Sequence, residues 1–168
     1  MTQVVFKTNM GDITITVDHE NAPIGAENFV HYAMEGFYNG TIFHRIIPGF
    51  MVQGGGMLPG MDEKDSGSSI ENEADNGLKN TRGSLSYART QDPHSATTQF
   101  FMNLVDNKSL DHTGKDLYGW GYAVFAQITD GLDVIDEMAK VETTNRRGHA
   151  DVPVDDIIIE KTIVTEND

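Results

Sequence analysis

The chain has 168 residues, 38% of them apolar, which suits one domain whose core needs no disulfide or metal to hold it. Its 26 acidic and 12 basic side chains give a formal net charge of −14, which repels phosphate backbones and anionic headgroups. Nucleic acid and membrane surfaces are therefore poor partners, and solubility is the plain reading of the acidity. The absence of cysteine removes thiol chemistry and disulfides, and no apolar run approaches the ~18 residues of a membrane span.

Residues 1–7 alternate like a strand and lack a basic region followed by a long apolar run, so a cytoplasmic location is the default expectation. Residues 4–8 and 12–17 are β-rich and flank Asn9-Met10-Gly11, where glycine can take the positive φ of a tight turn; the chain should open with a hairpin. From Pro23 to about Gly36, Ala26, Phe29, Val30, Ala33 and Met34 recur at helical spacing, with Pro23 suited to the first turn and Gly36 to the stop. Five short β-like runs follow, at residues 41–47, 50–53, 83–88, 99–104 and 122–128. Residues 131–141 read as a second helix with Leu132, Ile135, Met138 and Ala139 on one face. Residues 156–164 read as a last strand, with Ile157, Ile159 and, by strict alternation, Lys161 opposite Ile158, Glu160 and Thr162.

Many short strands with two separated helices predict a mainly β fold, a closed or nearly closed antiparallel barrel capped by helices. Two long irregular segments, 57–77 and 107–121, have the length of loops that shape a site. The acidic residues at 62–75 lack the alternation and terminal glutamate of a calcium loop and read as a solvated loop beside a groove. No repeat or linker argues for a second domain.

The chemistry is carried by Phe43-His44-Arg45-Ile46-Ile47-Pro48-Gly49-Phe50-Met51-Val52-Gln53-Gly54-Gly55 and by Ser95-Ala96-Thr97-Thr98-Gln99-Phe100-Phe101-Met102-Asn103. Together with the approach from Gly36 to His44, Asn80-Thr81-Arg82-Gly83 and Val124-Phe125-Ala126, these stretches closely resemble the cyclophilin family, particularly its bacterial cytosolic members, over nearly the whole chain. The resemblance implies a closed eight-stranded antiparallel β-barrel with a helix at each end and a substrate groove on its outer wall. It implies peptidyl-prolyl cis/trans isomerisation without cofactor or metal, acting on proline-containing peptides and on unfolded or flexible chains, and a monomer is expected.

Carried over by position, the resemblance makes Arg45 the catalytic arginine and Phe50, Met51, Phe101 and Leu110 the proline-ring pocket. Gln53 falls on the glutamine that orients the arginine and the peptide, Gln99 on a second groove-lining glutamine, and Ala88 and Arg89 on the segment whose backbone pairs with substrate. Tyr122 stands where many eukaryotic members have histidine, keeping an aromatic wall. Ser109 stands where those members have a tryptophan that helps bind cyclosporin, so cyclosporin is expected to bind weakly. Arg89 replaces a frequent asparagine, and its charge suggests a preference for acidic residues near the proline.

The physics suits that reading. Rotation about a peptide bond costs about 18–20 kcal/mol, while the two X-Pro ground states differ by only about 0.5–1 kcal/mol, so the equilibrium is balanced but slow. In the twisted amide the proline nitrogen regains a lone pair, which a fixed cationic donor binds more strongly than it binds the planar ground state. Arg45, permanently charged and rich in donors, fits this role. Acceleration from tens of seconds to milliseconds needs about 6–7 kcal/mol, more than the ~3–4 kcal/mol of one donor, so walls that anchor the ring and exclude water must supply the rest.

Plainer readings exist for each residue. An isolated strand arginine is usually a surface ion-pair partner, and Phe50, Phe101 and Leu110 could be core, although alternation sends Phe100 and Phe101 to opposite sides. His44 should face away from Arg45, buried and hydrogen-bonded. Ser95 beside His94 forms no triad, the histidines at 19, 31, 44, 94, 112 and 149 lack metal-ligand spacing, and Trp120 is expected to pack its loop. The competing function is a peptide-binding, chaperone-like module on the same fold; the intact set Arg45, Phe50, Gln53 and Phe101 favours turnover.

Overall fold

Alternation of apolar and polar side chains settles the first two elements of the structure, a computed structural model that describes residues 1–166. β1 (Thr2–Thr8) and β2 (Gly11–Val17) pair antiparallel, with Val4, Phe6, Ile13 and Ile15 fully buried on one face. The chain continues through α1 (Pro23–Met34), β3 (Arg45–Ile47), β4 (Met51–Gly54), β5 (Met57–Leu58), β6 (Asp62–Glu63), β7 (Ser84–Tyr87) and β8 (Phe100–Asn103). It ends with β9 (Val124–Asp130), α2 (Leu132–Met138), β10 (Thr143–Arg146), β11 (His149–Pro153) and β12 (Ile159–Glu166).

Eight strands form one curled antiparallel sheet in the order β12-β1-β2-β9-β7-β8-β4-β3. Its edges meet along a short seam rather than a full ladder. The Phe43 N–H donates to the Ile157 carbonyl at 2.9 Å, the Ile159 N–H to the Thr41 carbonyl at 2.9 Å, and Ile42 bridges Ile158. The expected mainly β, eight-stranded antiparallel fold is thus present, but as a curled half-barrel whose edge strands β12 and β3 do not pair; a closed barrel overstates a contact made only at the residues that precede β3.

The interior is aromatic. Phe6 stacks on Phe100 at 5.6 Å between centroids, and Phe29 of α1 reaches Phe125 of β9 at 5.0 Å. α1 ends in a Schellman turn: Gly36 takes φ 75°, its N–H donates to the Ala33 carbonyl, and the Phe37 N–H to the Tyr32 carbonyl. α2 buries Ile135 and Met138, and its Val134 packs against the β1–β2 turn at Gly11. No helix among the described residues is long and apolar enough to cross a membrane.

Three expectations need correction. Lys161 is exposed, because the β1–β12 register shifts between Lys7 and Thr8; the extra residue on β12 breaks strict alternation after Ile159 and turns Thr162 toward the interior. Two hairpins, β5–β6 and β10–β11, lie where the sequence shows loop or no pattern, because both are polar ribbons. They are held by Met57, Met61 and Val152 packing around Ile42 on the outer wall, not by internal alternation. The acidic segment is not simply solvated: Asp62 accepts from Arg147 at 2.7 Å, Asp75 pairs with Lys115 at 3.2 Å, and Glu73 reaches the start of α1.

That last contact substitutes for a missing local cap. Ala22 at the N-cap has no side chain to offer, and the Glu73 carboxylate accepts the N–H groups of Ile24 and Gly25 instead. Replacing Glu73 with alanine is expected to lower stability by about 1–2 kcal/mol in urea unfolding. An unchanged midpoint would show that water caps α1 equally well.

Candidate active site

The site begins as one row across three strands. Arg45 on β3 faces Gln53 on β4, and Gln53 faces Phe101 on β8. Phe100 and Met102 point into the core, so Phe101 stands on the outer wall, as alternation requires. One register step along β4, Met51 joins the same cavity. Phe50, in the turn between β3 and β4, closes one side.

The other walls come from loops. Leu110, at the end of the 3-10 turn Lys108–Leu110, and Tyr122 are joined by the Tyr122 N–H donating to the Leu110 carbonyl at 2.9 Å. The rings of Phe101 and Tyr122 meet edge to face at 5.6 Å. With Ala88 and Arg89 from the end of β7, these residues enclose a cavity of about 320 Å³ that includes Arg45, Phe50, Met51 and Gln53.

Arg45 is exposed at the mouth of this cavity and makes no ion pair among the described residues. Its Nη1 donates to Gln53 Oε1 at 3.4 Å, and Gln53 Nε2 donates onward to Gln99 Oε1 at 3.1 Å. The chain of amides fixes which way Gln53 points and leaves the guanidinium's remaining N–H groups to be aimed at a ligand. The surface ion-pair reading of Arg45 is not what the geometry contains.

Beneath the groove lies a polar network that the sequence reading missed. Asn80, Asn103 and Asn107 are at most 9% exposed. Asn80 Nδ2 donates to the carbonyls of Leu110 (3.2 Å) and Tyr122 (3.3 Å) and to Asp111 (3.1 Å), while its Oδ1 accepts from Ser86 and from Asn103 Nδ2. Asn107 Nδ2 donates to the Phe50 carbonyl at 3.0 Å and to Asn103 Oδ1 at 2.8 Å. Three walls of the cavity, Phe50, Leu110 and Tyr122, are thus tied by their backbones to one buried cluster. The only signals are that Asn80 and Asn103 lie inside recognisable motifs, which give neither a role, while Asn107 lies in neither motif.

Two expected site residues lie outside the cavity. Gln99 supports Gln53 and lines a neighbouring cleft of about 240 Å³. Ser109 lines a separate cavity of about 510 Å³ on the far side of Arg89 and Tyr122. The Ala88 N–H already donates to the Gln99 carbonyl at 3.0 Å, so a peptide pairing with this segment would use its other backbone groups. Arg89 lies over the Tyr122 ring at 4.5 Å and donates to the Gly121 and Thr90 carbonyls. Trp120 meets the rings of His94 and His112 at 4.9 and 5.5 Å, a packing role within its loop. A larger depression of about 650 Å³ between β2 and β9 is lined by Thr16, Asp18, Lys79 and Gln127. Its lining includes His19 but no arginine and no Phe, Tyr or Trp, so size alone does not mark it as the reactive site.

The family profile described as cyclophilin type peptidyl-prolyl cis-trans isomerase/CLD matches residues 3–164. The chain is 56% identical over 163 residues to peptidyl-prolyl cis-trans isomerase B of Escherichia coli, covering 97% of this chain and 99% of that protein. It is 50% identical over 160 residues to a peptidyl-prolyl cis-trans isomerase of Streptomyces antibioticus, covering 95% and 96%. Among solved structures, a cyclophilin-type isomerase of Cryptosporidium parvum, crystallised in the presence of the dipeptide Ala-Pro, superposes with a TM-score of 0.79 at 26% identity, covering 98% of this chain and 99% of that one.

His44, next to the exposed arginine, is buried as expected, but its Nδ1 has no hydrogen-bond partner among the described residues. Burial disfavours the charged ring, and the neighbouring His149 and Arg45 add to the effect, so His44 is pushed down to about 4. As pH falls, the unfolded chain protonates first. The stability gained by keeping His44 neutral is therefore complete above pH ~6.5 and lost progressively toward pH ~4, a change of about 3 kcal/mol. A proton titration of the imidazole by NMR should give a midpoint near 4; a midpoint between 6 and 7 would contradict this burial.

Proposed function

The chain belongs to the cyclophilin-type peptidyl-prolyl cis-trans isomerase family, and from that premise we propose that its groove seats a substrate proline ring in the 320 Å³ cavity while Arg45 stabilises the twisted amide. The protein is a peptidyl-prolyl cis-trans isomerase. Its substrates in this reading are X-Pro bonds in flexible or unfolded chains of the cytoplasm, handled by a single-domain monomer. That the Cryptosporidium isomerase was crystallised in the presence of Ala-Pro supports proline-containing peptides as the ligand class.

The observation that carries the mechanism is the guanidinium of Arg45, held by a relay of glutamines and without an ion pair among the described residues, at the lip of a cavity walled by Phe50, Met51, Phe101 and Leu110. No bond to the substrate is made or broken. Phe50, Met51, Phe101 and Leu110 hold the ring, Tyr122 closes the wall, and the amide is removed from water on one side. As the amide twists, its nitrogen becomes pyramidal and gains a lone pair, and Arg45 donates to it. The planar ground state offers no such acceptor, so the interaction lowers the barrier rather than deepening the starting state. Gln53 restricts the guanidinium to the useful orientation, and Ala88 with Arg89 offers backbone groups to the peptide on either side of the ring.

An acidic protein offers a cation many potential partners, yet Arg45 makes no ion pair among the described residues, which keeps its charge available to a ligand.

Exchange spectroscopy on an X-Pro peptide, which needs no coupled protease, tests the assignment. Arg45→Ala should lower kcat/KM about 10²–10³-fold while peptide affinity changes only a few-fold, and Arg45→Lys should fall between. Equal exchange rates for wild type and Arg45→Ala would defeat the mechanism.

A further inference from the structure

The cavity of about 510 Å³ that contains Ser109 shares two walls, Arg89 and Tyr122, with the proline cavity. Its outer rim is the tip of the loop between Asp111 and Gly121. There the adjacent Leu117 and Tyr118 are 63% and 95% exposed. Adjacent exposed apolar residues at the lip of a cavity are costly unless something covers them.

The loop is braced for that position. Asp116 Oδ1 accepts the Gly119 N–H at 2.6 Å and the Tyr118 N–H at 3.2 Å, and the Thr113 N–H donates to the Gly119 carbonyl at 2.6 Å. At its base, Arg89 Nε and Nη2 both donate to the Gly121 carbonyl, at 3.2 and 2.9 Å. The tip is therefore presented by a pre-formed scaffold, and the Arg89 guanidinium is the partition between the two cavities.

We propose that this second cavity is a substrate subsite that takes an aromatic or large aliphatic side chain close to the isomerised proline, clasped by Leu117 and Tyr118 against Arg89 and Tyr122. The inference rests on the proline cavity being the reactive site. The occupant follows from continuity: a peptide advances about 3.3–3.6 Å per residue when extended, so a chain whose proline fills the first cavity places a residue within two positions of it over the shared wall. The chemistry follows from the walls. Thr90, Gln91 and Ser109 add polar groups to the lining, the Arg89 donors serve Gly121 and Thr90, and the large surfaces left to grip a side chain are the aliphatic Leu117 and the phenolic rings of Tyr118 and Tyr122.

The test is an exchange measurement on a peptide series in which each of the two positions on either side of the proline is Phe, Leu, Asp or Gly in turn. Wild type and Leu117→Ser/Tyr118→Ser are compared, the substitutions lying on exposed side chains. At one side of the proline, kcat/KM for the Phe peptide should exceed that for the Gly peptide by about fivefold, chiefly through KM, and the ratio should fall toward one in the double variant. A wild-type ratio near one at every position, a ratio that survives the double substitution, or a preference for Asp over Phe would each overturn the subsite. Failure of wild type to accelerate exchange in any peptide is a different result: it would overturn the isomerase mechanism, and the subsite with it.

Discussion

The groove depends on the buried amides of Asn80, Asn103 and Asn107. A strand row can place Arg45, Gln53 and Phe101 side by side, because register is a property of the sheet. It cannot place Phe50, Leu110 and Tyr122, which sit on turns and loops whose backbones have no ladder to hold them. The asparagine cluster supplies that ladder in miniature, taking up the carbonyls of all three. Buried polar groups of this kind are tolerated only when their partners are in place, so the same bonds that position the loops also penalise any arrangement in which the loops drift.

The site thus combines two mechanical origins. The floor is rigid sheet, backed by the aromatic interior of Phe6, Phe29, Phe100 and Phe125. The walls are loops pinned from below, and on one side from above, where Arg89 holds the Gly121 carbonyl and covers the Tyr122 ring. Arg45 is the exception in this well-tied setting, with one long bond to Gln53 and its remaining donors open among the described residues. A catalyst that acts by hydrogen-bonding a transient lone pair needs that combination, a fixed direction and uncommitted donors.

Most of the sheet and the central row of the site are legible in the sequence. Alternation marks the opening hairpin, helical spacing marks α1 and α2, and the run from Phe43 to Gly55 points to Arg45, Phe50, Met51 and Gln53 together. What is not legible has identifiable causes. The β-bulge that exposes Lys161 depends on register between strands at opposite ends of the chain. The β10–β11 hairpin is too polar to show a period, and its anchor, Val152 against Ile42, is a tertiary contact. Asn80, Asn103 and Asn107 look like turn or strand-end residues, because nothing in their spacing reveals that three loops converge on them. Gln99 and Ser109 flank the proline cavity rather than line it: Gln99 is spent on holding Gln53, and Ser109 opens onto the neighbouring cavity.

The claim that the buried amides set the reactive geometry is tested most directly by Asn80→Ala. Stability and X-Pro exchange are measured on the same sample under conditions where it remains folded. Loss of the contacts to Leu110, Asp111 and Tyr122 should reduce kcat/KM at least tenfold, with backbone chemical-shift changes concentrated in residues 108–122. Wild-type kcat/KM in a folded, destabilised variant would show that the network supports the fold alone and that the walls of the groove find their places without it.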